Sequence, residues 1–495
     1  MESIKFAFMN SIFLSIRTHS NAWITAVLAF VLFGVVSFTN HILFRTYALD
    51  LGLYTNALYD YAHFRFADTS LFLPENKNLL ADHFDLYLML FSPLSWIFKS
   101  YTLLIVQCLA VIAGGFGIYF LLNENEQTRP FRIWGMTIFY LFFGTLAALA
   151  YDYHSNVISA MVLPFFFLMV SRKAWGKAFA LLVFMCLGKE NVSLFLFFVS
   201  LGLFWKYFKW KESRKPLFLF AVFSVVYFLF MVKWVMPTIA GEKDFVHFGK
   251  YPVLGGDMTA AIKFMIMHPL EFIRLLFVNH MPEDPTYNNE KVFFYLVLFV
   301  AGGWALFVRP WYFVMILPII IQKELTNQPS TWGCVYQYSI EFAPVVVVAL
   351  FEVVSRWKFN PSRIGVVLLF FTLSSTVYGL VERSKAWEKE RFIFWQRPHF
   401  KPHYDLTDVK ILMNRIPEDA AVMANSAYVG QLAYRDKCYT LPFVKDSEFI
   451  LISATESTYP LSVDQTNEFI QALQVDSTWN LVEQRGHAYL FQRKP

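Results

Sequence analysis

The chain has 495 residues, of which 57% are hydrophobic, 19% aromatic and only 16% charged, a balance that excludes a water-soluble globule of this size and indicates a polytopic membrane protein. Its formal net charge of +5 would suit an acidic partner, but basic residues beside membrane helices set orientation, and no nucleic-acid motif accompanies them. Four cysteines, Cys108, Cys186, Cys334 and Cys438, show neither metal spacing nor a disulfide framework.

In chain order, Lys5 and Arg17 precede an apolar run at 22–42 with no small-residue cleavage signature, which predicts an uncleaved first span. Further runs lie at 102–122, 133–150, 156–171, 217–237, 291–308, 311–322, 339–355 and 361–381. A run at 176–206, broken by "GKEN" at 188–191, predicts a hairpin of two short helices. The sum is about eleven spans. The stretch "FDLYLMLFSPLSWIFKS" (84–100) is predicted to be a juxtamembrane helix interrupted by Pro93. With it lying in the interface and the N-terminus in the cytoplasm, the basic segments 171–177, 206–215, Arg309 and 356–363 all fall inside.

That parity places the 41–101 loop, the "YDYHSN" link (151–156), the "GKEN" apex and the 238–290 loop on one outer side. Everything after about 383 joins them, and so does every histidine except His19. The tail turns polar, with strand-like "AAVMAN", "EFILISA" and "WNLVEQ" alternating with helix-like "DLTDVKILMNRI" and "VDQTNEFIQALQ". The expected architecture is therefore an all-α polytopic membrane domain over 1–382 and a soluble extracytoplasmic α/β domain over 383–495. The tail has no glycine-rich phosphate fingerprint, so nucleotide binding is not expected.

Titratable groups clustered at one membrane face suit a site opening to the outer compartment. Asp50, just past the first span, is positioned to take a proton from an acceptor hydroxyl, or else to cap the helix that follows it. "NLLADHFDLY" (78–87) sets Asp82, His83 and Asp85 close together without making them converge on one helix face. His and Asp suit several divalent ions, so a metal site stands open there beside a capping and surface role. Asp152 and His154 lie in a link too short for anything but the membrane surface or a cavity, with Ser155 or Asn156 able to cap the next helix. Lys189 and Glu190 at the hairpin apex are expected to pair structurally, the sharper alternative being a phosphate contact by Lys189. Tyr336 and Tyr338 suit an aromatic belt, while Glu341 sits one turn inside a span.

The stretches "LDLGLYTNALYDY", "LLADHFDLYLMLFSPL", "YTLLIVQCLAVIAG", "YDYHSNVISAMVLPF", "KENVSLF" and "YQYSIEFAP" resemble an uncharacterised prokaryotic family of predicted multi-pass membrane proteins grouped with the GT-C glycosyltransferases. "ANSAYVGQLAYRDKCYTLP" in the tail matches more weakly. The resemblance implies a seven-helix module, juxtamembrane helices in the first outer loop and an acidic catalytic residue there, the place Asp50 fills in "LDLG". A second acidic site after the third span would be Asp152. The class often carries an acidic pair in the first loop, whereas position 51 is Leu. Donors in the class are polyprenyl-linked sugars, so the implied partners are such a donor, membrane lipid, and a glycan, lipid or protein acceptor. Arg45, His83 and Lys189 are then the groups expected to offset charge on the departing lipid phosphate. Asp85, His154, Glu190, Tyr336, Tyr338 and Glu341 would complete the substrate contacts. Two rival readings are a transporter or flippase, with Lys189, Glu190 and Glu341 along its path, and a non-catalytic scaffold.

Overall fold

The computed structural model describes residues 18–66, 68–71, 77–241, 245–382 and 388–495. Lys5, Arg17 and the expected domain boundary at 383 lie outside the described residues.

The first helix, Ser20–Ile42, buries a stripe of Ala22, Ala26, Ala29, Phe33 and Val36 and turns Ile24, Val27, Leu28 and Val31 outward. Successive buried positions three or four residues apart make one face for the bundle, and the apolar outer face is suited to lipid. Thr102–Asn123 packs against Ser155–Ser171, where small residues allow a close approach. A Cβ on Gly114 would meet Met161 Sδ at 2.8 Å, and one on Gly117 would meet Pro164 Cβ at 2.8 Å. Close backbone contact of this kind substitutes for the hydrophobic driving force that lipid removes.

Among the described residues four helices are long and apolar enough to cross a membrane, or five if the bent pair Arg129–Leu141 and Phe143–Leu149 is one span. That pair turns by 47° at Phe142. The expected hairpin is present as Trp175–Cys186 and Glu190–Lys206, and the run at 291–308 breaks at Gly302, whose φ of +111° only glycine adopts easily. The expectation of about eleven spans counts these shorter helices as well. Residues 84–100 form a chain of short helical turns that bends at Lys99 (φ +45°) directly into Thr102–Asn123.

Lys173 pairs with Glu212 (2.6 Å), Arg172 with Glu124 (2.6 Å), and Lys206 with Glu352, all at helix ends opposite to those carrying His154, Glu190 and Glu341. Arg172, Lys173 and Lys206 therefore share one end of the bundle with their glutamate partners, and His154, Glu190 and Glu341 lie at the other.

Two short strands, β1 (Asp68–Thr69) and β2 (Lys77–Asn78), pair in the 41–101 loop. The tail holds β3 (Val422–Ala424), β4 (Cys438–Thr440), β5 (Phe449–Ser453), β6 (Trp479–Arg485) and β7 (Ala488–Arg493) in the order β4-β3-β5-β7-β6. β3 runs parallel to β4 and β5, while β7 is antiparallel to β5 and β6. Val422, Ala424 and Leu451 on one sheet face join Tyr47, Ala48, Leu51 and Leu58 of the first loop in a single apolar cluster. The docking is close, since a Cβ on Gly430 would stand 2.5 Å from the Thr46 carbonyl oxygen. Polar seams reinforce it, with the Ala48 N–H donating to Ser426 Oγ (3.1 Å) and Asn56 Nδ2 donating to the Arg435 carbonyl (2.8 Å).

Candidate active site

A cavity of about 570 Å³ opens between the 41–101 loop, the 151–156 link, the hairpin apex, the 245–251 segment and the stretch from Ile319 to Glu341. Its walls include Asp50, Asp82, His83, Tyr151, His154, Lys189, Glu190, His247, Lys250, Tyr338 and Glu341. Leu49, Leu194, Phe228 and Ile319 supply an apolar side. Such a mixture of apolar wall and convergent polar groups is the usual form of a ligand site.

Asp50 lies inside a single π-helical turn, Ala48–Gly52, and caps nothing. Its Oδ2 accepts a hydrogen bond from the Tyr151 hydroxyl (2.7 Å), and its Oδ1 stands 3.4 Å from His154 Nε2. Burial pushes this carboxyl up, but the His154 imidazole and the Tyr151 hydroxyl outweigh it and hold Asp50 below the usual carboxylate range. Its side chain is still 27% exposed, toward the cavity.

Asp152 supports that turn from behind. One of its oxygens accepts from the backbone N–H groups of Tyr47 (3.1 Å) and Leu51 (3.2 Å), and the other forms a buried ion pair with Arg391. Asp152 has φ +34°, a strained value for a residue with a Cβ, which turns the link so that Asp152 faces the π turn while His154 faces the cavity. Gln107 clamps the same link, donating to the Asp152 carbonyl (2.8 Å) and accepting from the His154 N–H (3.0 Å). Arg391 also stacks over the Tyr151 ring at 4.5 Å, so one cation orders two partners of Asp50.

On the opposite wall, Glu190 does not pair with its neighbour Lys189. Adjacent residues at a helix start diverge, and Glu190 instead lies 3.4 Å from His83 Nδ1 and accepts the Phe84 N–H (3.3 Å). Lys189 lines the cavity and makes no ion pair among the described residues. Asp82 is 3.3 Å from His247 Nε2 and 3.7 Å from His83 Nε2. Burial would raise the Asp82 carboxyl, but His83, His247 and Lys189 hold it low, whereas burial and then Lys189 push the His83 imidazole down.

Of the residues predicted from sequence, Asp50, His83, His154, Lys189, Glu190, Tyr338 and Glu341 line the cavity. Glu341 accepts from Asn156 Nδ2 at 2.8 Å. Four others do not line it. Arg45 is buried and donates to the carbonyls of His399 (2.7 Å), Pro398 (3.2 Å) and Lys401 (2.6 Å), fastening the tail rather than a phosphate. Asp85 turns inward, accepting the Tyr87 N–H (2.9 Å) and the Tyr153 hydroxyl (3.3 Å), and burial raises its carboxyl to about 7. Tyr336 packs edge-on against Tyr151, and Asp152 sits behind the wall. Sequence reading missed Tyr151, His247, Lys250 and Arg391. Only His247 carried a usable signal, a histidine on the outer 238–290 loop.

Among solved structures, the chain is similar to ArnT from Cupriavidus metallidurans, seen there bound to undecaprenyl phosphate, with 10% identity, a TM-score of 0.48 and coverage of 94% of this chain and 97% of that chain. No curated protein matches it. Residues 40–486 match a family described as predicted membrane proteins (DUF2079), and the chain belongs to that family.

Proposed function

We propose that the protein is an integral membrane glycosyltransferase that moves a sugar from a polyprenyl-phosphate-type donor to an acceptor at the outer face of the cytoplasmic membrane, with its tail extracytoplasmic. The observation that carries this reading is Asp50, a carboxylate kept ionised by Tyr151 and His154 on the wall of a cavity that also holds Lys189 and Lys250. The sequence resemblance to GT-C enzymes supports the same assignment. Asp50 takes the proton from the acceptor hydroxyl as that oxygen bonds to the anomeric carbon. The bond from that carbon to the phosphate oxygen breaks, and the lipid phosphate leaves with the electron pair, its charge offset by Lys189. Asp152 and Arg391 are positioning residues in this scheme, because neither reaches the cavity.

A transporter reading receives less support. Between the cavity and Lys206 the helix Glu190–Lys206 buries Phe195, Leu196, Val199 and Leu203 beside Ser193 and Ser200, so its interior face carries no charge over that length. The test is transfer of labelled sugar from a polyprenyl-phosphate donor by the full chain in nanodiscs. Asp50→Asn should lower the rate about 10²–10⁴-fold while the chain stays folded in detergent. Undiminished transfer by that variant would remove Asp50 from the mechanism, and label crossing sealed vesicles without transfer would favour transport.

A further inference from the structure

We infer that Asp82, His83 and His247 bind one divalent transition-metal ion, zinc by preference, on the cavity wall facing the hairpin apex. One donor atom from each lies within 4.8 Å of the other two. The first two belong to the first outer loop, whereas His247 comes from a separate segment, Val246–Lys250, that nothing in the local sequence obliges to meet them.

The spacing fits a small ion. Ligand bonds of about 2.0–2.1 Å in a tetrahedron put neighbouring donors roughly 3.4 Å apart. Asp82 Oδ1 lies 3.3 Å from His247 Nε2 and its Oδ2 3.7 Å from His83 Nε2, so the carboxylate already spans both imidazoles at separations near that edge. The two imidazoles are stacked, with centroids 4.8 Å apart and planes 18° from parallel, and binding one ion requires the rings to turn out of this stack so that both Nε2 atoms face it.

The groups behind the ligands also suit an ion. Glu190 Oε1 lies 3.4 Å from His83 Nδ1, and a carboxylate accepting that N–H leaves the Nε2 lone pair free for a metal. His247 Nε2 now donates to the Asp82 carbonyl (2.8 Å), while its buried Nδ1 has no hydrogen-bond partner among the described residues. Moving the proton to Nδ1 frees Nε2 for coordination. Asp82 and Glu190 carry two negative charges that face Lys189 and Lys250 across the cavity lining, so both carboxylates are available to a cation without leaving either lysine unopposed. All three ligands are half-buried and line the cavity, which leaves a fourth position for water or a ligand oxygen. Two imidazoles and one carboxylate with an open position suit zinc, cobalt or nickel better than magnesium or calcium.

Bound there, the ion ties the first outer loop to the second. The inference does not depend on sugar transfer, and its test reads the metal alone. The full chain without a histidine tag, stripped with chelator in detergent, is titrated with Co²⁺ by visible absorbance and with Zn²⁺ by calorimetry. One equivalent per chain is expected, with a zinc-dependent rise in thermal midpoint. His247→Gln and Asp82→Asn should each weaken zinc at least tenfold, and Glu190→Gln about tenfold, while His154→Gln binds as the parent does. Absence of stoichiometric binding by the parent chain, or undiminished affinity in the Asp82→Asn/His247→Gln double variant, would overturn the site. Should those variants fail to fold, a parent midpoint unmoved by saturating zinc overturns it equally.

Discussion

Arg391 lays its guanidinium against the carboxylate of Asp152 in an interior that leaves each residue 2% exposed, and Asp152 in turn holds the backbone of the turn bearing Asp50. The segment after the last long apolar helix thus supplies the counter-charge for a residue 239 positions earlier in the chain.

Replacing Arg391 with Met should leave that carboxylate buried and unpaired. The expected loss is about 3–5 kcal/mol, seen as a lower midpoint in thermal unfolding of the detergent-solubilised chain. The Asp152→Asn/Arg391→Met double variant should recover part of it, because both charges are then gone. A single variant as stable as the parent would show that the pair does not hold the turn.

Tyr151→Phe removes a donor to the Asp50 carboxylate. Loss of a hydrogen bond to the charged form moves the carboxyl upward, so the acid limb of a transfer pH profile should shift to higher pH. The same sign governs stability: with its folded value depressed, Asp50 favours the fold above the unfolded value of roughly 3.9, and that contribution disappears as pH falls through the folded value. The check is a pair of pH–rate profiles.

Asp85 has the opposite sign. Burial raises its carboxyl to about 7, so the folded chain holds a proton that the unfolded chain releases near 3.9. Its contribution is complete below roughly pH 4 and declines as pH rises through 7. Asp85→Asn should therefore flatten the midpoint between pH 4 and 8 and raise it at pH 8, measured by differential scanning fluorimetry.

Gly430→Val places side-chain atoms against the Thr46 carbonyl, where even a Cβ has only 2.5 Å. The expected cost is about 1–3 kcal/mol, with faster proteolytic cleavage in the tail than in the membrane helices. Equal protection of parent and variant would mean that the tail is not held by this contact.

Long apolar runs made the helices legible, because lipid demands a continuous apolar surface and sequence records it directly. The strand-like segments of the tail were legible as short apolar runs set between helix-like ones, and β3 and β5 are buried along their whole length. The candidate site was legible in part. Asp50 and His154 stood out as titratable groups beside spans, yet the π turn that aims Asp50 has no compositional mark. Asp152 was recognisable as important but not as a support, since its role depends on Arg391, far along the chain. Arg45 looked like a phosphate ligand because a cation near a membrane mouth suggests one, and only packing reveals the carbonyls it satisfies. His247 reaches Asp82 through a loop whose path no periodicity predicts.

The dependence of Asp152 on Arg391 also orders events during biosynthesis. Asp50 leaves the ribosome early, but the cation that steadies its cradle is residue 391 of 495. A nascent chain halted before that point carries an uncompensated acid beneath the turn, so the cavity is expected to take its shape only once residue 391 has been made and packed.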